Sequence, residues 1–449
     1  MFRRILVANR GEIAARVLRA CREMGIETVA IHSTADAGSP HLRLADRTVC
    51  IGPAQAARSY LDMDAILQAA DQTDCQAIHP GYGFLAENAL FAARCSAQRV
   101  TFIGPPERLI RLMGDKVEAR RTMKGAGVPT IPGSDGVVTG AREAARAAAE
   151  VGYPVFLKAL AGGGGKGMRR CEDEASLERA FAQAANEAEK AFGNGALYLE
   201  KAIIGGRHIE FQILGDAWGR VVHLGERECS VQRHHQKLVE ESPSPAIDEA
   251  TRRAVGARVA SALAALGYRN AGTVEFLRDT AGHLHFMEMN TRLQVEHPVT
   301  ESVTGIDIVK EQIRIAANEP LRLRQEEIRM TGHAIELRIN AEDPDDEFKP
   351  SPGRVTRFEV PPGVRVDSHI GAGDAGYRIP PYYDSLIAKL IVHGPDRAGA
   401  IAAARRALDA VRIEGIKTTV PLHRRILEHP GFVEGDYDVT ILDKMLQGV

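Results

Sequence analysis

Residues 286–301 read FMEMNTRLQVEHPVTE, and the even positions Glu288, Asn290, Arg292, Gln294 and Glu296 are all polar, with Met287, Met289, Leu293 and Val295 apolar between them. In an extended chain successive side chains point to opposite faces, so two carboxylates, two amides and a guanidinium would share one surface. Those groups have definite uses. Paired acids hold a hard cation through oxygen, a guanidinium grips an oxyanion with two parallel hydrogen bonds, and a carboxylate beyond it accepts a proton. A wet sheet face gives the same alternation and is its commoner cause, so the pattern needs support from elsewhere in the chain.

Glu275 lies between Val274 and Phe276 in TVEFLRDTAGHLHFMEMN, which reads as two antiparallel strands turning at DTAGH. Glu275 and Glu288 are therefore expected side by side, an unfavourable pair unless neutralised. A divalent cation removes the repulsion, and Asn290 would complete an oxygen-rich site suited to magnesium. Lys158 sits inside the apolar run PVFLKAL, just before the glycines of AGGGGKGMRR. A lysine so placed is costly unless it meets a phosphate or an acid. The glycines expose backbone amides to an anion, and Lys166 adds charge. The run is not a P-loop, since Gly167 stands where a Ser or Thr should follow the lysine. QRHHQK at 232–237 reads by default as a solvated loop, and its adjacent His234 and His235 lack zinc-ligand spacing.

The elements that must position these groups follow from periodicity. Residues 3–8 read as a buried strand, 11–24 as a helix with Ile13, Val17, Leu18 and Cys21 on one face, and TVAIHS as a second strand. TVCIG, AIHPG and TFIGP continue this into an open parallel α/β sheet ending near Gly114. Gly81, Gly83 and Ala86 match a relaxed dinucleotide fingerprint, but NRGEIA after the first strand lacks its glycines, so a Rossmann oxidoreductase is poorly supported. From Asp115 come a helix, the turn-rich VPTIPGSDG, an alanine-rich helix, and strands at PVFLKAL, ALYLEKAI, HIEFQIL and GRVVHLGERE. The tail from Met330 places Arg338 on a strand (HAIELRINAED), and its many Pro/Gly turns predict an all-β subdomain with helices attached.

At 449 residues the chain predicts about three domains. Its 57 Lys+Arg balance 59 Asp+Glu, a net charge of -2, which excludes bulk attraction to nucleic acid or an anionic membrane. Six scattered cysteines without a Cys-x-x-Cys pair argue against a zinc or disulfide framework and for free buried thiols in a reducing compartment. The basic start is interrupted by Asn9, Arg10 and Glu12 and no run reaches membrane-spanning length, so a cytoplasmic protein is expected.

In order along the chain, ANRGEIA, HPGYGFLAEN, FIGP, MGDK, GGGGKGM, EKAI, RHIEFQ, ERECSVQRHHQK, EFL, EMNTRLQVEHPVTE, ELRINAED, PSPG and PPYYDSLIAKL resemble the blocks of biotin carboxylases, a family of ATP-grasp enzymes. The resemblance spans essentially the whole chain. It implies an α/β and α+β architecture: a Rossmann-like N-terminal domain at 1–114, an ATP-grasp domain at 115–330 with a mobile glycine-rich lid at about 131–203, and a C-terminal mixed β domain at 331–449. It implies ATP-dependent carboxylation of biotin by bicarbonate, through carboxyphosphate, as the first half-reaction of acetyl-CoA carboxylase in fatty acid synthesis, or of another acyl-CoA or pyruvate carboxylase.

By motif, Lys116 and Lys158 would hold ATP phosphates, with Gly162, Gly163, Gly164, Gly165, Lys166 and Gly167 closing over them. Glu200, Lys201, Ile203, His208, Gln232, His235 and Leu277 match the rest of the nucleotide site, together with Glu275 and Glu288. Glu275, Glu288 and Asn290 match ligands of two magnesium or manganese ions. Lys237, Arg292, Gln294, Val295 by its backbone, and Glu296 match the bicarbonate pocket, with Glu296 as general base. Arg338 matches the group that stabilises the biotin enolate, and Tyr82 and Asp384 lie in blocks lining the biotin site. Lys166 stands where other members carry arginine. No Ala-Met-Lys-Met motif occurs, so biotin is expected on a separate carrier protein, with carboxyltransferase subunits as further partners and a homodimer as the assembly. Ending at LDKMLQGV without a linker favours a free-standing subunit.

Overall fold

Ile5, Leu6 and Val7 are fully buried, as an apolar run covered on both faces must be. In the computed structural model, which describes residues 1–160 and 167–447, they belong to strand β1 (Arg4–Val7) of a five-stranded sheet. With β2 (Glu27–Ser33), β3 (Arg47–Gly52), β4 (Ala77–His79) and β5 (Thr101–Phe102) the order is β3-β2-β1-β4-β5, all parallel. The chain leaves β1 through helix α1 (Gly11–Glu23) toward β2 on one side, whereas β4 lies on the other. Such a switch point opens a crevice beyond the carboxyl ends of β1 and β4, where open α/β sheets bind ligands. Asn9 closes its floor by donating to the carbonyls of Pro80 and Tyr82, each at 2.7 Å.

A small antiparallel sheet, β7-β6-β8, is formed by β6 (Val155–Ala159), β7 (Met168–Cys171) and β8 (Leu197–Lys201). It has its own core against the helices Ala141–Val151 and Glu174–Phe192. Gly162, Gly163, Gly164, Gly165 and Lys166, between β6 and β7, lie outside the described residues; Gly167 has φ +75°, a conformation that favours glycine.

The main sheet has eight antiparallel strands. β9 (Arg207–Gly215), β10 (Val221–Arg233), β11 (Gln236–Ser242), β12 (Asn270–Arg278), β13 (Leu284–Asn290), β14 (His333–Asn340), β15 (Arg365–Ser368) and β16 (Leu386–Gly394) are arranged β13-β12-β9-β10-β11-β14-β16-β15. The strands expected in the tail are present, and they also join the middle of the chain. Three of its strands complete this sheet, because the outer edge of β11 pairs with β14 (Val239 opposite Leu337) instead of facing water.

QRHHQK departs from expectation. β10 runs through to Arg233, His234 and His235 alone form the turn with φ of 48° and 67°, and β11 starts at Gln236. Two central residues at positive φ match the twist of a hairpin. In β13 a bulge at Met287 moves Phe286 to the core side with Met289, so the alternation holds only from 288 to 290. The strand ends at Asn290, and helix α2 (His297–Thr304) begins immediately after Glu296. All six cysteines are free, as expected, but Cys50 is exposed. Among the described residues no helix is long and apolar enough to cross a membrane.

Candidate active site

One row of the main sheet carries three acids abreast. Glu288 of β13 stands opposite Glu275 of β12, Glu275 opposite Glu210 of β9, and Glu210 opposite Arg227 of β10. Like charges in directly opposed positions repel, and burial strengthens the repulsion, so cations must sit among them. Arg227, fully buried, donates its Nε to Glu210 at 2.5 Å. Lys237 of β11 supplies the second cation, its Nζ donating to Glu210 at 2.6 Å, Glu275 at 2.9 Å and Glu296 at 2.7 Å. Burial alone would strip the Lys237 ammonium of its proton, but those three carboxylates raise its pKa well above the ordinary lysine value.

Glu296 is held from two sides. Besides Lys237, it accepts from Arg338 Nη2 at 2.9 Å, while Arg338 Nε binds Glu240 at 2.6 Å. Burial acts to raise the Glu296 carboxyl, but Lys237, Arg338 and Arg227 outweigh it and hold the group below the usual carboxylate range. Gln294 is fixed between Arg227 Nη2 at 2.8 Å and Glu275 at 2.7 Å, and Asn290 also donates to Glu275 at 2.9 Å. Arg292 is steered by Glu87 at 2.7 Å and by the Asn290 oxygen at 2.9 Å.

Beside this cluster a cleft of about 530 Å³ reaches the switch-point crevice, lined by Arg292, Val295, Arg338, Tyr82, Asp384 and Asn9 among others. The expected bicarbonate and biotin residues thus converge. Tyr82 donates its hydroxyl to Glu12 of α1.

On the nucleotide side, Lys158 meets an acid, Glu200, at 2.5 Å, with Arg120 at 3.9 Å from the same carboxylate. Ile203 and Leu277 adjoin at Gly206, where an added Cβ would come within 2.9 Å of Leu277 and 3.2 Å of Ile203. His208, opposite Leu277 in register, lies 3.1 Å from Glu275. Gln232 is buried opposite Lys237. Partial burial and the charges of Lys158 and His208 push the His235 imidazole below its ordinary value, tying the hairpin tip to the same region. Lys116 opens the helix Lys116–Gly125, close enough to Glu288 to favour its ionised form. Lys201 is the exception: its ammonium is taken up by the carbonyls of Gly152 at 2.9 Å and Tyr153 at 2.7 Å.

Three family models match the chain: "Biotin carboxylase, N-terminal domain" over residues 1–110, "Carbamoyl-phosphate synthase L chain, ATP binding domain" over 115–324, and "Biotin carboxylase C-terminal domain" over 336–444. The biotin carboxylase of Nostoc sp. is 54% identical over 446 residues, covering 99% of each chain. The chain belongs to the biotin carboxylase family.

Solved biotin carboxylases share the fold closely. The biotin carboxylase domain of Hydrogenobacter thermophilus 2-oxoglutarate carboxylase, a dimer in complex with MgADP, ADP and bicarbonate, is 52% identical with a TM-score of 0.94, covering 100% of this chain and 98% of that one. A biotin carboxylase complex with β,γ-ATP from Campylobacter jejuni is 48% identical with a TM-score of 0.95, covering 99% of both. The ATP-grasp biotin carboxylase fold is therefore the fold of this chain, with its parallel N-terminal sheet and antiparallel sheets elsewhere.

Glu275, Glu288 and Asn290, the expected metal ligands, suit a hard cation. The Glu288 carboxyl is pushed up by burial and by Glu275, a repulsion that a bound cation would relieve, and every donor is oxygen. The Asn290 oxygen faces Arg292 and would turn to join them. His208, Glu210 and Glu275 also converge, as do Glu210, Cys229 and Glu296, but Lys237 already binds the three carboxylates in those groups. Sequence reasoning did not single out Glu87, Glu210, Arg227 or Glu240. The signal carried by Lys158 and Glu275, a charge inside an apolar strand run, also marks Glu210 in HIEFQIL; Glu240, beside Glu241 in KLVEES, lacks it.

Proposed function

We propose that this biotin carboxylase uses ATP to activate bicarbonate as carboxyphosphate and carboxylates biotin borne on a biotin carboxyl carrier protein. The observation that carries it is a cleft lined by Arg292, Val295, Arg338, Tyr82 and Asp384, with Glu296 bonded to Arg338 and Lys237 beside it. Phosphoryl transfer asks for positioning and charge neutralisation more than covalent help, which Lys116, Lys158 and the glycines 162–165 with Lys166 and Gly167 would give. Glu275, Glu288 and Asn290 would hold two Mg2+ or Mn2+ ions, which supply charge neutralisation at the ATP phosphates.

Glu296, kept ionised by its cations, would take the bicarbonate proton; Arg292 and Lys237 would orient the anion with Gln294 and the Val295 backbone. Arg338 would then stabilise the charge that develops on the ureido group of biotin, a task a guanidinium performs without losing its own proton. Glu200, Lys201, Ile203, His208, Gln232, His235 and Leu277 would form the rest of the nucleotide site, and for Lys201 the occupied ammonium leaves that role to the backbone.

We read residues 1–114, 115–330 and 331–449 as the N-terminal, ATP-grasp and C-terminal domains, with the first two supported by the separate parallel sheet and by the start of the ATP-binding match at 115. The assembly we assign is a homodimer that works with carrier and carboxyltransferase subunits in acetyl-CoA carboxylase. A second acceptor, a keto acid, is favoured by the likeness to the 2-oxoglutarate carboxylase domain. The test is ADP release that depends on bicarbonate and Mg2+ and accelerates with free biotin. Loss of both dependences in folded protein overturns the reading; copurified transferase subunits identify the acceptor.

A further inference from the structure

Lys389 of β16 is wholly buried, and an ammonium in that position is tolerated only when paired. Its Nζ donates to the Val295 carbonyl at 2.7 Å and lies 3.4 Å from Glu12 and 3.9 Å from Asp367. Glu12 stands in α1 and accepts the Tyr82 hydroxyl on its other oxygen. Arg338 is the register partner of Lys389.

The Val295 carbonyl and the Glu296 N–H belong to one planar peptide. A hydrogen bond on that oxygen therefore orients the plane from which the Glu296 side chain departs. The stretch between β13 and α2 lies outside any ladder, so it depends on contacts of this kind. Further charges surround the lysine: Glu336 lies behind it with neither carboxyl oxygen hydrogen-bonded, and Arg365 binds Asp367 at 2.9 Å. Burial opposes the charge of Lys389, but Glu12, Glu336 and Asp367 outweigh it and raise its pKa. The neighbouring His297 is driven neutral by burial and by Lys389 itself.

We infer that Lys389 is a positioning residue for the carboxylation step: it ties the Val295–Glu296 peptide to α1 through Glu12, and so holds the bicarbonate pocket in register with the Tyr82 wall of the biotin cleft. The inference rests on the bicarbonate reading above.

It is tested with Lys389→Met in the full chain, by steady-state kinetics beside an ADP titration. The bicarbonate KM is expected to rise about tenfold or more, since small misplacements of binding groups are costly, while ADP affinity stays within about twofold. A parallel loss of ADP affinity, or an unmoved bicarbonate KM, overturns the inference. Should Lys389→Met not fold, Glu12→Gln removes the acid that anchors the lysine and is expected to raise the bicarbonate KM in the same direction; no change there overturns it equally. Arg292→Lys separates the two levels. If Arg292→Lys raises the bicarbonate KM and Lys389→Met does not, the Lys389 inference alone falls, whereas an unmoved KM in Arg292→Lys overturns the bicarbonate reading beneath it.

Discussion

Glu296 is buried between Lys237 at 2.7 Å and Arg338 at 2.9 Å, and these two cations set what it can do. A carboxyl whose pKa lies below its ordinary value is ionised above that value and loses its function as pH falls through it. Glu296→Gln keeps the shape and removes the proposed base. It is expected to lower bicarbonate-dependent turnover by about 10² to 10⁴, the usual range for general base catalysis, while an ADP titration shows affinity retained. Arg338→Gln removes the proposed charge-stabilising donor and is expected to raise the biotin carboxylation barrier by about 2–4 kcal/mol. Its bicarbonate-dependent ATPase without biotin should survive. Because Arg338 is one of the cations that lower Glu296, the acid limb of that ATPase should move to higher pH. Loss of the ATPase would place Arg338 in the phosphate step instead.

Strand β11 is the element on which most depends, since it carries Lys237, Glu240 and Glu241 and joins the two halves of the main sheet. Glu241 pairs with His333 of β14 at 2.6 Å, accepts Arg397 at 2.7 and 3.0 Å, and accepts the Tyr437 hydroxyl. Burial would raise this carboxyl, but His333 and Arg397 bring it down to about 2. Its contribution to stability is thus complete above the ordinary carboxylate value and is lost as pH falls toward about 2. Glu241→Gln is expected to destabilise the chain by about 3–5 kcal/mol at neutral pH, as breaking a buried pair does. Urea unfolding curves should show the gap from the unmodified chain narrowing below pH 4.5. The pairing of Glu275 with Glu288 was legible in the sequence because alternation and a turn signal sufficed to predict it. The His234–His235 turn was not, because its only mark is a positive φ at two residues that ordinarily avoid it.

At the scale of the molecule, the tail and the middle of the chain share one sheet. The sequence placed Arg338 on a strand, but nothing local shows which edge that strand will join, since pairing across about 100 residues is decided by burial and not by a turn. A chain ending at residue 328 would lose β14, β15 and β16 and leave β11 as an open edge with unpaired backbone groups. Such a fragment is expected to aggregate, and its appearance as a monomer in sedimentation would contradict the shared sheet. Glu275 has a consequence of another kind. Its Oε1 already accepts from Lys237, Asn290 and Gln294, so a cation that takes this oxygen must first release donors that also serve Glu296 and the proposed bicarbonate pocket. The two equilibria then cannot be independent, and by reciprocity whatever factor the cation applies to the anion's affinity, the anion returns to the cation.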